Sequence, residues 1–347
     1  MRGRVSLLVM AAILFISCGK KPQSPAVTTI AGSGVLGFAD GNGTSALFSN
    51  PMGVAADSAG NIYVADSRNN LIRKITPQGM VSTLAGSGKE AATDGHGTTA
   101  SFFFPTAIAT DAKGNVYVAD THNSLIRKIT PEGIVSTIAG RSPTKKLNDK
   151  KDTARFDNPY GIAVDKDGNV FVADWDKNQI KKISPDGKVA VVAGNGERGA
   201  KDGKASDATF YLPEGITIDN KGNLYVADCY NNRIRKITQD GTVTTLAGHT
   251  KRGSVDGKGA AAAFWHPNGI TVDKNGNVYV ADAGNNKIRK ITPDGQVSTF
   301  AGTGAGGAGN GHADKASFYA PSGIVTDKNG NMYIADYENN RIRKISL

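Results

Sequence analysis

Gly60-Asn-Ile-Tyr-Val-Ala-Asp66, followed at once by Ser67-Arg-Asn-Asn-Leu-Ile-Arg-Lys-Ile75, decides the fold of this 347-residue chain. The first half is rich in β-formers, the middle is an Asx-rich turn and the second half is another short strand. The Asp that closes the first half returns at Asp120, Asp174, Asp228, Asp282 and Asp336, 54 residues apart each time with no insertion. Six equal units of this size mark an array or a closed propeller rather than several independent domains.

Working outward from that stretch, each unit holds the same parts. Val81-Ser-Thr-Leu-Ala-Gly86 reads as a strand ended by Gly, with equivalents ending at Gly32, Gly140, Gly194, Gly248 and Gly302. A polar, Gly-rich loop follows, often with an Asp-Gly pair such as Asp40-Gly41, Asp94-Gly95, Asp202-Gly203 or Asp256-Gly257, which is turn chemistry. A Phe then recurs in every copy (Phe48, Phe102, Phe156, Phe210, Phe264, Phe318), with a Pro three residues later, from Pro51 to Pro321. A small apolar strand such as Gly161-Ile-Ala-Val-Asp165 leads through a Gly-Asn turn to the Tyr-Val-Ala-Asp strand, which pairs through the Asn-rich turn with Ile-Arg-Lys-Ile. Four short strands per unit are the content of one propeller blade. The expectation is an all-β, six-bladed β-propeller with four-stranded blades over residues 27–347.

The last copy stops at Ile345-Ser-Leu347 without its fourth strand, and Val27-Thr-Thr-Ile-Ala-Gly32 is a spare fourth strand. The N-terminal strand is therefore expected to complete the last blade, which removes an exposed edge.

The Tyr-Val-Ala-Asp, Asn-Asn-x-Ile-Arg-Lys-Ile and Ala-x-Phe-x-x-Pro-x-Gly-Ile signatures resemble the NHL repeat over residues 27–347. The resemblance implies a six-bladed propeller, a fold shared with binding modules, sensors and some enzymes of lactonase and peptide-amidating-lyase type. Fold alone leaves function open.

The N-terminus reads as an export signal, with Arg2 and Arg4 before an apolar run from Val5 to Ile16 that is short for a membrane span. Leu14-Phe-Ile-Ser-Cys18 resembles a bacterial lipobox, with Phe15 in place of the preferred Leu. Residues 1–18 are thus expected to be a lipoprotein signal peptide with Cys18 as the lipidated residue, residues 19–26 a tether, and the address the bacterial cell envelope, periplasmic or surface-exposed. Cys229 is then left without a disulfide partner.

The formal charge is +10, and Arg2, Arg4, Lys20 and Lys21 precede the repeats with no acid among them, leaving about +6 spread over the blades. No localised basic stripe of the nucleic-acid kind is visible, so nucleic acid is not an expected partner. A monomer is expected.

Residues that recur in all six copies cannot mark one asymmetric site. The repeated Asp is expected to accept backbone N–H groups in its turn; a six-fold calcium ladder lacks the clustered oxygen ligands. The repeated Arg-Lys pairs, Arg73-Lys74 and their kin, are expected to cover apolar surface with their stems while their heads reach water.

The information lies where copies differ. Up-and-down connectivity puts the long loop and the Asn-rich turn on one face. Before the Pro stand Asn50, Phe104, Asn158, Leu212, His266 and Ala320; after it stand Met52, Thr106, Tyr160, Glu214, Asn268 and Ser322. After the repeated Asp stand Ser67, Thr121, Trp175, Cys229, Ala283 and Tyr337, then Arg68, His122, Asp176, Tyr230, Gly284 and Glu338.

Phe104, Tyr160, Trp175, Asp176, Glu214, Tyr230, Trp265, His266 and Tyr337 are the expected ligand-binding residues, since aromatics mixed with hydrogen-bonding groups suit a binding face. The alternative is that these rings only pack the loops together. The expected function is a binding module for a glycan, a peptide or an envelope protein, with no cofactor. The alternative is a metal-dependent hydrolase or lactonase holding one calcium or magnesium ion on Asn158, Glu214 and Asn268, as the lactonase-type resemblance implies, with Asp176 in a suitable column. A zinc-lyase site lacks a histidine cluster, because His96, His122, His249, His266 and His312 are scattered. No nucleophile elbow or phosphate loop is present.

Overall fold

The computed structural model describes residues 25–140 and 155–346. The export signal, Cys18 and the tether up to residue 24 lie outside them. The described chain forms six antiparallel sheets, each made of the four strands the repeat dictates. In the first blade these are Pro51–Ala56, Ile62–Asp66, Leu71–Ile75 and Met80–Ala85, innermost to outermost. Five sheets gain a fifth, two-residue strand at the outer edge, such as Gly41–Asn42 against Met80 and Val81. Four strands were expected; the loop at the Asp-Gly pair, Asn310-Gly311 in the last blade, supplies the extra one by folding back on the outer strand of its own blade.

Ring closure follows the expected route. Ala26–Ala31 pairs with Arg341–Ser346, Val27 facing Ile345 and Thr28 facing Lys344, so the first strand is the outer strand of the last blade. It starts one residue earlier than expected.

Each second strand is buried along its whole length, because it lies mid-sheet with a blade packed on either side. The six repeated Phe side chains are all but inaccessible to solvent and fill the gaps between blades: Phe48 packs with Val54 and Val64 of its own blade and with Ala335 and Ile342 of the last.

The repeated Arg departs from expectation. Arg73, Arg127, Arg235, Arg289 and Arg343 are fully buried. Arg73 lies over the Phe48 ring and donates through Nη1 to Asp66 Oδ2 (2.9 Å) and the Leu47 carbonyl, and through Nη2 to Asp40 Oδ1 (2.7 Å) and the Ala39 carbonyl. The pleat explains the error. Successive strand residues point to opposite faces, so only the Lys of each pair can reach outward: Lys74 leans over the Tyr63 ring, 5.8 Å from its centroid. A planar guanidinium with five donors satisfies two carboxylates and two carbonyls at once. Blade three uses Lys181 against Asp174 (2.7 Å) instead.

The repeated Asp does accept backbone N–H as expected, Asp66 Oδ1 from Ser49 at 2.8 Å, in addition to its ion pair. The turn beyond it ends on Asn70, whose φ of 56° is left-handed, a conformation Asn tolerates. The Asn70 side chain then accepts the Phe104 N–H of the next blade (2.8 Å), and its counterparts repeat this link at most blade junctions.

Candidate functional site

The loop face and the Asn-rich turns meet at the same end of the ring, as the Arg68 N–H to Ser49 carbonyl bond and its equivalents require. Below them the six inner strands enclose the central channel, walled by the residues directly after each Pro: Met52, Thr106, Tyr160, Glu214, Asn268 and Ser322. A ring of glycines lets the inner strands close. A Cβ at Gly161 would collide with the Glu214 carbonyl, and one at Gly215 with the Asn268 carbonyl.

The resulting cavity measures about 70 Å³. That is room for a few waters or an ion, whereas organic ligands need roughly 300 Å³ or more. Tyr160 narrows it further, its hydroxyl reaching Met52 Sδ two blades away at 4.0 Å.

Glu214 is the one carboxylate on this wall among the described residues, and it is buried. Burial pushes its pKa up to about 7; hydrogen bonds from the Cys229 thiol, the Trp175 indole and the Asn268 amide pull the other way. The Trp175 Nε1–H closes no bond of good geometry with any described group, so its contact with Glu214 is a near approach rather than a well-formed hydrogen bond. Asn268 also accepts from Ser322 Oγ (3.2 Å). The Tyr160 phenol and the Cys229 thiol are both raised well above their usual ranges, by burial first and then by the Glu214 charge. These groups form one coupled set with no cationic side chain among the partners of Glu214.

Above the channel the rings connect. Tyr160 lies 6.2 Å from Trp175, Trp175 6.4 Å from Tyr230, and Tyr230 4.9 Å from His266 and 5.2 Å from Tyr211. Tyr230 is 41% exposed and Trp265 37%. His266 is held below the usual imidazole range by burial and by Arg252. Tyr337 neighbours Tyr160 closely enough to raise its phenol.

Other expected residues sit apart. Phe104 stacks on His122 at 4.7 Å in blade two. Asn158 donates to Asp176 (2.6 Å) at the exposed rim and takes no part in the channel wall, so Glu214 and Asn268 are together while Asn158 is not. Among the described residues no group of three or more His, Cys, Asp or Glu is placed to hold a metal.

Two columns that differ between copies turn out to serve the scaffold in part. Every residue before the Pro is left-handed, from Ala320 (φ 47°) to Asn158 (φ 54°), so that backbone is six-fold whatever the side chain. Ser67 Oγ and Thr121 Oγ1 donate to the Pro105 and Pro159 carbonyls of the next blade (2.6 and 2.7 Å). Trp175 and Cys229, at the same place in blades three and four, turn towards Glu214 instead.

The family model described as the Virginiamycin B lyase family matches residues 49–347. The chain belongs to the Virginiamycin B lyase family. It is 32% identical over 318 residues to Protein SUPPRESSOR OF QUENCHING 1, chloroplastic, of Arabidopsis thaliana, covering 86% of this chain and 30% of the relative. It is 30% identical over 342 residues to NHL repeat-containing protein 2 of Bos taurus, covering 86% of this chain and 46% of that protein. The chain thus spans less than half the length of these curated relatives, and the NHL-repeat resemblance stands. Among solved structures, an auxiliary nutrient binding protein from Bacteroides thetaiotaomicron superposes with a TM-score of 0.72 at 19% identity, over 93% of this chain and 77% of that one; this shows a shared fold.

For this member of the family, reading the columns missed the position two before the Pro. It holds Phe103, Tyr211, Trp265 and Tyr319 in four of six blades, and only Trp265 drew notice. Tyr319 is half exposed and Tyr211 touches Tyr230. The signal was present: aromatic side chains beside a surface turn in most copies, without strict recurrence. No helix among the described residues is long and apolar enough to cross a membrane.

Proposed function

We propose that this protein is a binding module of the bacterial envelope, exported, lipidated at Cys18 and tethered through residues 19–26, that takes its ligand on the loop face around the channel. The ligand classes are a glycan, a peptide or another envelope protein. One observation carries the reading: a connected run of rings, Tyr160–Trp175–Tyr230–His266, overlies a channel whose cavity of about 70 Å³ is too small for an organic ligand. An organic ligand of these rings would therefore rest on the face above the channel rather than inside it. The likeness to an auxiliary nutrient binding protein supports a binding role.

The test is a screen of the soluble domain against glycan and peptide arrays, followed by titration of any hit while tryptophan fluorescence is read. Tyr230→Ala and Trp175→Ala are expected to weaken binding at least tenfold, the loss of one or two aromatic anchors. A hit whose affinity neither substitution changes moves the site off this face and ends the proposal.

A second reading is a metal-dependent hydrolase or lactonase. The observation favouring it is Glu214, a buried carboxylate without a cationic partner, beside Asn268, on a channel wall it shares with Thr106, Tyr160 and Ser322. Oxygen donors of this kind fit one hard cation such as calcium or magnesium; Asn158 stands outside the set. Elemental analysis of purified protein, repeated on Glu214→Gln, tests it: less than one tenth of an ion per chain in the parent protein rejects this reading.

A further inference from the structure

The arc of contacts on blades four and five ends in a cation on each side. Arg198 lies over Tyr211 (5.4 Å to the ring centroid), Tyr211 meets Tyr230 (5.2 Å), Tyr230 meets His266 (4.9 Å), and Arg252 lies over Trp265 (5.1 Å), next to His266 in the chain. Both guanidiniums are exposed. They stand 54 residues apart, the same place in adjacent blades; blades one, two and six hold Leu36, Glu90 and Gly306 there. The pair is therefore no part of the repeated scaffold.

These two arginines differ in kind from the five buried ones. Each buried Arg pairs with the repeated Asp of its own blade. Among the described residues Arg198 and Arg252 have no ion pair and no side-chain hydrogen bond; each has a ring beneath it. Stacking uses the face of a guanidinium and leaves its in-plane N–H donors unspent, held by the ring in a fixed orientation. Glu197 is the neighbouring acid, and it accepts from Asn195 Nδ2 (3.2 Å). Of the other acids of these two loops, Asp202 and Asp256 are committed to Arg235 and Arg289, and Asp207 accepts from Ser206 Oγ (3.1 Å).

We propose that the arc from Arg198 to Arg252 is a subsite for an acidic oligosaccharide, with a sugar ring lying on the exposed Tyr230 while its carboxylate or sulfate groups meet the two guanidiniums, each seated on its own ring, Tyr211 or Trp265. This rests on the loop face being the binding surface. Flat, partly exposed rings suit the C–H faces of sugars, and a bidentate guanidinium suits planar or tetrahedral anions. An extended peptide finds less here. The outer strands of these blades are already covered by Gly203–Lys204 and Gly257–Lys258, so little free edge remains for strand addition.

The experiment is calorimetric titration of the soluble domain with two acidic probes, polygalacturonate oligomers and a sulfated glycosaminoglycan octasaccharide. Methyl-esterified galacturonate oligomers and an octasaccharide that is desulfated, N-acetylated and methyl-esterified at its uronates serve as neutral controls, and an acidic peptide as a competitor class. Arg198→Gln, Arg252→Gln and Tyr230→Ala are compared with the parent protein, with melting curves to confirm that each folds. At least one acidic probe is expected to bind ~10-fold or more tightly than its neutral form, as charge-assisted contacts imply. Each Arg substitution should cost about tenfold, and added salt should weaken binding. Equal affinity for acidic and neutral forms, indifference to both Arg substitutions, or preference for the acidic peptide overturns the subsite. If Tyr230→Ala still abolishes binding of a neutral ligand, the loop-face reading survives that failure; if no array ligand and no probe binds, both fall.

Discussion

Replacing Glu214 by Gln should remove the pH dependence that this one residue imposes on stability. The carboxyl is buried in the channel wall and its pKa rises from 4.5 to about 7. The folded state therefore holds this proton more tightly than the unfolded chain does. Stability from this source is fully present below pH 4.5, falls as the pH rises, and is gone above pH 7. At ~1.4 kcal/mol per pH unit the span amounts to about 3 kcal/mol. The Gln side chain keeps the shape and carries no charge, so its curve lacks that slope. The quantity to measure is the difference in melting temperature between variant and parent, taken in EDTA from pH 4 to pH 8.5, because the other buried carboxylates cancel in it. The difference should move in favour of the variant by roughly 4 °C across the window, given the unfolding entropy of a domain this size. Parallel curves would refute the account of Glu214 as a buried, unpaired acid. A slope that vanishes when calcium or magnesium is added would show a cation holding the carboxylate charged, and would favour the metal-dependent reading.

Three further outcomes follow from the same contacts. Deleting Val27 to Gly32 removes the outer strand of the last blade and leaves Arg341–Ser346 as an open edge; aggregation or a large drop in melting temperature is expected, and a soluble monomer with unchanged melting would sink the closure argument. Arg127→Met strands Asp120 without its buried partner and should cost about 3–5 kcal/mol in chemical denaturation, whereas Arg127→Lys, which copies blade three, should cost well under half of that. Ala320 is left-handed at φ 47°, so Ala320→Gly trades roughly 1–2 kcal/mol of backbone strain against ~0.5–1 kcal/mol of added chain entropy. The result should be neutral or slightly stabilising, and a loss above about 1 kcal/mol would show that no strain is stored there.

The sequence alone determined the blades, their number and their closure. The 54-residue period, the Asn-rich turn and the spare strand at Val27–Gly32 are local patterns, and strand pairing within a blade joins residues only a turn apart, as Val64 with Arg73. The columns around each Pro were legible as variable, but only the assembled ring shows that the one directly after the Pro walls the channel while the one before it does not. Tertiary structure decided the rest. Arg73 is buried rather than surface-reaching because Asp40 and Asp66, 33 and 7 residues before it, converge on it, a convergence that no period in the sequence displays. The charge state of Glu214 depends on Trp175, Cys229 and Asn268 from two neighbouring blades and its own. Burial and partners are properties of the assembled ring, since the free energy of a charge is set by the groups that replace its water, and those come from blades far apart in the chain.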